Sequence, residues 1–598
     1  MMKATFMIPR HFVTCLFLFL SLPVFGKEPP EWVQGAVWYQ ILPERFRNIN
    51  PANDPIKERV VGKKVDDWQV HPWASDWYKL QVWEQERDLP FPDLVNNRRY
   101  GGDLIGVIEK LPYLKDLGIH VLYLTPVFES PSVEKYDIST LHHIDNNFGL
   151  NRKEDWQKIL SEKEDPASWT LTSSDEMFIE LITQAHELEI KVVIEAVFNF
   201  CGRGFWAFRD LEENQQNSKY KEWFEVTSWD DPMTPDTVEF DYTCWRGDRG
   251  RPLFKKDEHG LLAAPIQKYI FDITKRWMDP NDDGDPVDGI DGWFINHVED
   301  LPGQFWREWN DFVKSLNANA VTISEQRSDR DGFDLWMHHE YSRLLRDFFV
   351  IKHDKMTVTQ FCQNLHSIRD RLPDKLELSL ISQLSSHRTE RIASTIVNAK
   401  PSVAAGSSAK NGHYGYDPVK PDTAHRKVQK LLTIFQLTYP SAPAIFFGDE
   451  SGMWGGAYPD NIKPMLWKEF VYERETYKTV SPELKAVSDN GFDQEIFDVY
   501  RRLNQVRLRN PALTVGEYYE HLVDDERRLL VYSRRHKKAE VIVFLNFSEK
   551  KQSVELTPGW KKNLKVKDPF GVKKYRLDKF DIKLELAPMS GRVLVKEK

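Results

Sequence analysis

Eight apolar, β-rich runs punctuate the first 450 residues: AVWYQIL (36–42), HVLYLTPV (120–127), KVVIEAVF (191–198), GWFINHV (292–298), AVTISEQ (320–326), FDLWMHH (333–339), LELSLIS (376–382) and APAIFFG (442–448). Stretches of helical periodicity lie between them, such as DLIGVIEKLPYLKDLG and DEMFIELITQAHELE. Near-continuous apolar strands alternating with helices predict a parallel sheet covered on its outer face. Eight such units fit a closed (β/α)8 barrel of the α/β class better than an open sheet. The gap between the third and fourth runs is too long for one helix. Residues 199–265, aromatic, charged and Pro-rich, are expected to form an inserted subdomain. Beyond residue 510 the pattern shortens to RRLLVYSRR, AEVIVFLNFS and KQSVELTP, which predicts a C-terminal antiparallel β domain over 511–598 after a barrel spanning 27–510.

Composition narrows the reading only a little. The chain has 598 residues, 41% hydrophobic and 29% charged, as in ordinary globular proteins. Its formal net charge of -10 argues against a nucleic-acid or anionic-membrane partner, which would favour a basic face. Lys3 and Arg10, the apolar run FVTCLFLFLSLPVF (12–25) and VFG before Lys27 read as a secretory signal over residues 1–26. The expected location is therefore secreted or periplasmic, with no membrane span after cleavage. Cys201, Cys244 and Cys362 then remain, neither a disulfide framework nor a zinc motif, although a Cys201–Cys244 bridge stays open.

In a barrel of this type, function sits at the carboxyl ends of the strands. Several stretches there, AVWYQILPERFRNINPANDP, RRYGGDLIGVIEKLPYLKDLGI, PVFESPSVEKYDISTLHHIDNNFG, KRWMDPNDDGDPVDGIDGW and GDESGMWGGAYPDNIKPMLW, make the chain resemble the α-amylase superfamily, glycoside hydrolase family 13. It is most similar to the neopullulanase-like and secreted bacterial α-amylase branch. The resemblance runs from about residue 35 to the C-terminus.

That resemblance implies three acidic groups and a sugar-binding shell, and this chain departs from the pattern. The nucleophile segment should read Gly-aromatic-Arg-x-Asp; here it is GWFIN, with Phe294 for the arginine and Asn296 for the nucleophile. A carboxamide is a very poor nucleophile. Glu325 in TISEQ matches the general acid/base. In SSHRTER, His387 is kept, but Arg388 replaces the third carboxylate and puts a permanent cation where positive charge should develop. The segment after strand three should read Asp-x-Val-x-Asn-His; here EAVFNF carries Glu195 at the aspartate position and Phe200 in place of a sugar-binding histidine. Tyr136 matches the stacking tyrosine, with Glu134 two residues before it. Tyr136, His387, Phe200 and Phe294 are thus the expected substrate-facing residues.

The same resemblance implies calcium, as a structural ion, held by Asn48, Asn50, Asn53, Asp54, Gly101 and Asp103; the alternative is a turn-rich loop. DPNDDGDPVDG (279–289) opens like an EF-hand loop, but Ile290 falls where the bidentate glutamate should be, so a solvated turn is preferred. Trp68, Trp73, Trp77 and Trp83 form either aromatic platforms beside the cleft or a loop with its own small core. Glu299–Asp300 and YSRRHKK (532–538) read as solvated faces.

The favoured expectation is recognition of an α-glucan or related oligosaccharide by a pseudoenzyme with lost or strongly reduced hydrolysis. The first alternative is an active α-glucan hydrolase or transglycosylase using Glu325 with another nucleophile. The second is a partner-binding scaffold. Retained Tyr136 and His387 favour sugar binding; a cleft closed by Phe200, Phe294 and Arg388 favours a scaffold.

Overall fold

The structure is a computed structural model. It describes residues 28–60, 67–85, 87, 89–231, 233–234, 239–326, 332–372, 376–399, 416–478, 485–557, 565–571, 574–576 and 582–596. The leader-like segment 1–26 lies outside the described residues.

Eight short parallel strands form the central sheet: β1 (Trp38–Ile41), β2 (Val121–Leu124), β3 (Lys191–Ala196), β4 (Gly292–Ile295), β5 (Val321–Ser324), β6 (Leu335–Trp336), β7 (Ile381–Gln383) and β8 (Ala442–Phe446). They pair in the order β6-β5-β4-β3-β2-β1-β8-β7, and a parallel bridge between Met337 and Ile381 closes the sheet into a barrel. The eight-stranded expectation holds. The seventh strand is the exception in detail: Leu376–Ser379 is a 3-10 turn, and pairing begins only at Ile381.

Alternation along the strands sorts the side chains. Val121, Tyr123, Val193, Phe294, Ile323 and Ala444 pack into one interior cluster. Leu122, Leu124, Ile194 and Ile295 join the outer layer under the helices. Those helices are amphipathic for visible reasons. Helix Ser173–Glu187 starts with a reciprocal capping box between Thr172 and Asp175 and buries Phe178, Leu181, Ile182 and Ala185, a spacing of three, one and three that follows one helix face. No described helix is long and apolar enough to cross a membrane.

The stretch after β3 holds helix Trp206–Asn214 and two small antiparallel pairs, Val226–Ser228 with Asp241–Tyr242 and Cys244–Trp245 with Asp248–Pro252. Helix Ala264–Met278 then resumes the barrel. Cys201, Cys244 and Cys362 are all free thiols. After helix Gln494–Arg509 come antiparallel strands, of which Glu517–Asp524, Leu529–His536, Ala539–Asn546 and Ser590–Lys596 are consecutive neighbours in one sheet. This sheet is covered twice. Leu530, Tyr532, Val541 and Val543 face the barrel's outer core, whereas Leu529, Val531, Ile542 and Phe544 face the pair Gln552–Leu556 and Ile582–Leu586. Two-sided burial corrects the solvated reading of YSRRHKK in part. Arg534 is fully buried and donates to the Thr438 and Gly516 carbonyls, because alternation turns it onto the barrel helices.

The tryptophan-rich segment packs inward. Trp77 stacks on Tyr100 at 6.2 Å, donates to Asp460 Oδ1 at 2.8 Å and sits with Val95 and Trp73 in a cluster of its own. Trp73 donates to the Met465 carbonyl and Trp68 to that of Asn97. Beneath them Arg98 and Glu84 form a fully buried ion pair at 2.6 Å.

Candidate functional site

The strand ladder extends just far enough to fix two of the candidate positions. The Asn296 amide bonds the Ala196 carbonyl and the Glu325 amide bonds the Ile295 carbonyl, both at 3.1 Å, so these residues leave β4 and β5 side by side. His387 and Arg388 follow β7, Tyr136 sits in the loop after β2, and Glu195 is the fifth residue of β3. In the structure Tyr136, Asn296, Glu325, His387 and Arg388 converge.

The centre of this convergence is Glu195, quoted in the sequence but not counted among the site residues. Its Oε1 accepts from the Tyr136 hydroxyl and from Asn296 Nδ2; its Oε2 accepts from the Tyr123 hydroxyl. This acid thus reaches the carboxamide of Asn296, the residue that the family resemblance would put at the nucleophile position. Glu195 is 0% exposed and Asn296 3%. Burial raises the Glu195 pKa, with the Arg388 charge and the two phenols acting against it.

A directional relay leads into it. Gln383 Nε2 donates to Gln40 Oε1 at 2.5 Å, and Gln40 Nε2 lies 3.3 Å from His387 Nδ1. His387 Nε2 lies 2.8 Å from the Tyr136 hydroxyl. Burial, reinforced by Arg388, holds the His387 pKa down to about 3, so the ring is neutral. With an amide donating to Nδ1, the proton belongs on Nε2, and Tyr136 passes its own proton toward Glu195. Every member of the chain is satisfied by another protein group.

Arg388 lies across the top. Its Nη1 pairs with Glu325 Oε1, its Nη2 is 3.3 Å from His297 Nε2, and its guanidinium rests 5.3 Å from the centre of the Tyr136 ring. Burial pulls the His297 pKa down to about 4, helped by Arg388. Glu134 moves the other way: burial raises it to about 7, opposed by Arg388 and Arg251. His297 also holds φ at 56°, a backbone region that costs a non-glycine residue energy and is common at working sites.

Phe200 and Phe294 do not line a sugar-facing wall. Phe294 lies 4.9 Å from Tyr123 inside the barrel, and Phe200, fully buried, packs on Trp245 at 5.2 Å and His297 at 6.0 Å. The physical reason is size and polarity: each apolar ring sinks into space that a histidine or an arginine would hold open for a polar partner. Tyr136 and His387 are themselves only 5% exposed. Asp300 is no solvated charge either, since its Oδ2 accepts from Trp245 Nε1 at 3.2 Å and from Asn199 and ties the insert to the barrel end. Glu299 does face solvent, beside Arg246 at 3.1 Å.

The oxygen set named for calcium is brought together in part. Asn48 Nδ2 donates to Asp54 Oδ1 at 2.7 Å, and Gly101, at φ 71°, stands so close that a Cβ there would lie 2.1 Å from that oxygen. Asn48 Oδ1 and Asn53 Oδ1 are buried with no hydrogen-bond partner among the described residues. Burial raises the Asp54 pKa to about 6. Two orphaned acceptors and a desolvated carboxylate are what a hard cation corrects. Asn50 and Asp103 are otherwise engaged: Asn50 accepts from Ala52, while Asp103 accepts from the Ile49, Asn50 and Gly106 amides. In the EF-hand-like stretch, side-chain oxygens of Asp279, Asn281, Asp283 and Asp285 accept from backbone amides of their own loop, as a solvated turn should.

Comparison with known proteins bears on the family and the fold. The chain is 28% identical over 552 residues to a cyclomaltodextrinase of Thermoanaerobacter pseudethanolicus, covering 90% of this chain and 75% of that protein. It is 29% identical over 534 residues to neopullulanase 2 of Thermoactinomyces vulgaris, covering 88% and 72%. A solved cyclic α-maltosyl-(1→6)-maltose hydrolase from Arthrobacter globiformis superposes with a TM-score of 0.66 at 22% identity, over 95% of this chain and all of that one. The family description "Alpha amylase, catalytic domain" matches residues 40–166 and 173–516, and the chain accordingly belongs to the α-amylase family.

Proposed function

We propose that this protein is an α-glucan-active enzyme in which Glu325 is the proton donor and Glu195, rather than residue 296, supplies the second carboxylate. The observation that carries this reading is the contact between Glu195 and the Asn296 amide: a carboxylate stands beside the position where the family's nucleophile belongs. Relatives that align over about nine-tenths of the chain are named as a cyclomaltodextrinase and a neopullulanase. Retaining and inverting glycosidases alike need two carboxyl groups flanking the scissile bond. Two conditions follow for turnover here. Arg388 must release Glu325, because its guanidinium occupies the carboxyl group that has to reach the glycosidic oxygen. Tyr136 must yield its contact with Glu195 so that a sugar ring reaches the floor. Calcium at Asn48, Asn53 and Asp54 would hold the loop after β1 and leave the chemistry to the carboxylates, and a secreted or periplasmic location would supply it.

A second reading, glucan binding without efficient cleavage, is favoured by a different observation. The floor is self-satisfied, the amide of Asn296 is neutral, and Arg388 occupies Glu325.

One pair of measurements separates them. Purified protein is assayed for cleavage of maltoheptaose and of a cyclomaltodextrin, and the same sample is titrated with maltooligosaccharides in a calorimeter. Turnover abolished by both Glu325→Gln and Glu195→Gln supports the enzyme reading. Binding without turnover moves the conclusion to the second reading, and neither signal leaves only a scaffold. Turnover that survives Glu195→Gln removes Glu195 from the mechanism.

A further inference from the structure

A second cluster of ionisable groups shares no residue with the Glu195 relay. The loop after β2 and helix Arg152–Ser161 bring together His142, His143 and Glu162, all buried, each offering one ligating atom within 4.8 Å of the others. His143 is clamped at both ends: Nδ1 lies 2.7 Å from Asp175 Oδ2, and Nε2 lies 3.0 Å from Glu162 Oε2. Asp175 is fixed in turn by the Ile144 amide at 2.8 Å, the Thr172 amide at 2.9 Å and Arg276 at 3.2 Å. A carboxylate on one imidazole nitrogen is the usual device for orienting the other toward a metal. Glu162 is also anchored, by the Thr170 hydroxyl at 2.6 Å.

His142 supplies an independent observation. Its Nδ1 contacts the Thr140 hydroxyl at 2.9 Å and the Tyr269 hydroxyl at 2.8 Å, and Trp169 stacks on the ring at 4.6 Å with the planes 5° apart. The ring is thus fixed in place and in rotation. Its Nε2 is buried and has no hydrogen-bond partner among the described residues. A buried, unpartnered ring nitrogen costs free energy, and a lone pair aimed at a cation removes that cost.

We propose that His142, His143 and Glu162 form a binding site for a divalent transition metal of borderline softness, zinc by preference. Two imidazoles and one carboxylate suit zinc, whereas calcium selects an all-oxygen set. With zinc–ligand bonds of about 2.0–2.1 Å, coordinating atoms stand closer together than 4.8 Å, so the cluster contracts slightly on binding. The metal takes the place of the proton shared by His143 Nε2 and Glu162 Oε2, and binding releases a proton. Its effect is structural: it fastens the surface loop carrying Glu162 and Trp169 to the segment that leads from Tyr136. The competing arrangement is an imidazolium held between two carboxylates with no metal.

The test uses the full chain, stripped with chelator, returned to calcium and titrated with zinc by calorimetry; metal content is read after dialysis. The expected result is one zinc per chain, an apparent affinity at least tenfold weaker in Glu162→Gln and in His142→Gln, and a cobalt form with visible ligand-field bands but no thiolate charge-transfer band. That spectrum separates the site from the free thiols Cys201 and Cys244, and it can be read on the unaltered protein even if a variant fails to fold. Absence of retained zinc, affinity unchanged in both variants, or a thiolate band overturns the proposal.

Discussion

The Glu195 relay and the Asn48–Asp54 loop are both buried, polar and near the carboxyl end of the barrel, yet their hydrogen bonding differs in kind. Around Glu195, each donor in the relay from Gln383 to Tyr136 meets an acceptor, and both carboxylate oxygens are occupied. Around Asp54, two amide oxygens have no partner among the described residues and the carboxyl is pushed toward its neutral form. A closed network is stable with nothing bound; an open set of acceptors stays costly until a cation arrives. On the reading proposed above, a sugar would have to break the first, and calcium would complete the second.

Four predictions break or sharpen this contrast. The largest effect belongs to Glu195→Leu. It leaves Tyr123, Tyr136 and Asn296 with buried, unanswered donors, and about 3–5 kcal/mol of stability should be lost in a denaturant titration. Glu195→Gln should cost clearly less; equal losses would show that the carboxylate is not the hub.

Calcium comes next. A ligand at one hundred times its Kd adds about 2.7 kcal/mol, so calcium should raise Tm, and Asp54→Ala should abolish the rise. The pH dependence has a definite sign. The folded Asp54 pKa, about 6, lies above its unfolded value, so the metal-free folded state binds more protons. Its stability therefore falls as pH rises from about 4 to 6. The stabilisation by calcium should be larger at pH 7 than at pH 4.5, and a pH-independent increment would contradict the assignment.

Arg388→Ala should remove the guanidinium that occupies Glu325. If the enzyme reading is right, maltoheptaose cleavage rises by about tenfold, equivalent to about 1.4 kcal/mol of barrier. An unchanged or lower rate, in a variant that still binds glucan, would remove Arg388 as a brake. The smallest effect is expected at the exposed Arg246–Glu299 pair: Arg246→Ala should change stability by less than about 0.5 kcal/mol.

Much of this was legible in the chain. The eight apolar runs announced the barrel because parallel strands covered by helices must be apolar along most of their length. Asn296, Glu325, His387, Arg388 and Tyr136 were singled out because the segments that carry them resemble the family's motifs at the strand ends. Glu195 escaped because its importance lies in reach. One extra methylene and a tyrosine at position 123, on the neighbouring strand, turn a background acid into the centre of the relay. The signal was present in EAVFNF and HVLYLTPV, where a longer acid replaces the expected aspartate and a phenol points into the barrel interior. Phe200 and Phe294 were misplaced for the converse reason: a motif names a position, whereas burial decides which way an apolar ring turns.

By itself, then, the sequence determined the barrel and the order of its strands' functional ends, since these depend on residue type and spacing along one chain; the resemblance to the family's motifs marked 296 and 388 as positions where an acid is expected. Only the tertiary structure decided that Glu195 faces Asn296, that Arg388 holds Glu325, and that His143 meets Glu162. Those contacts join segments 19 to 101 residues apart. Their energy depends on distance and dielectric across the fold, and neither quantity is written in the order of the residues.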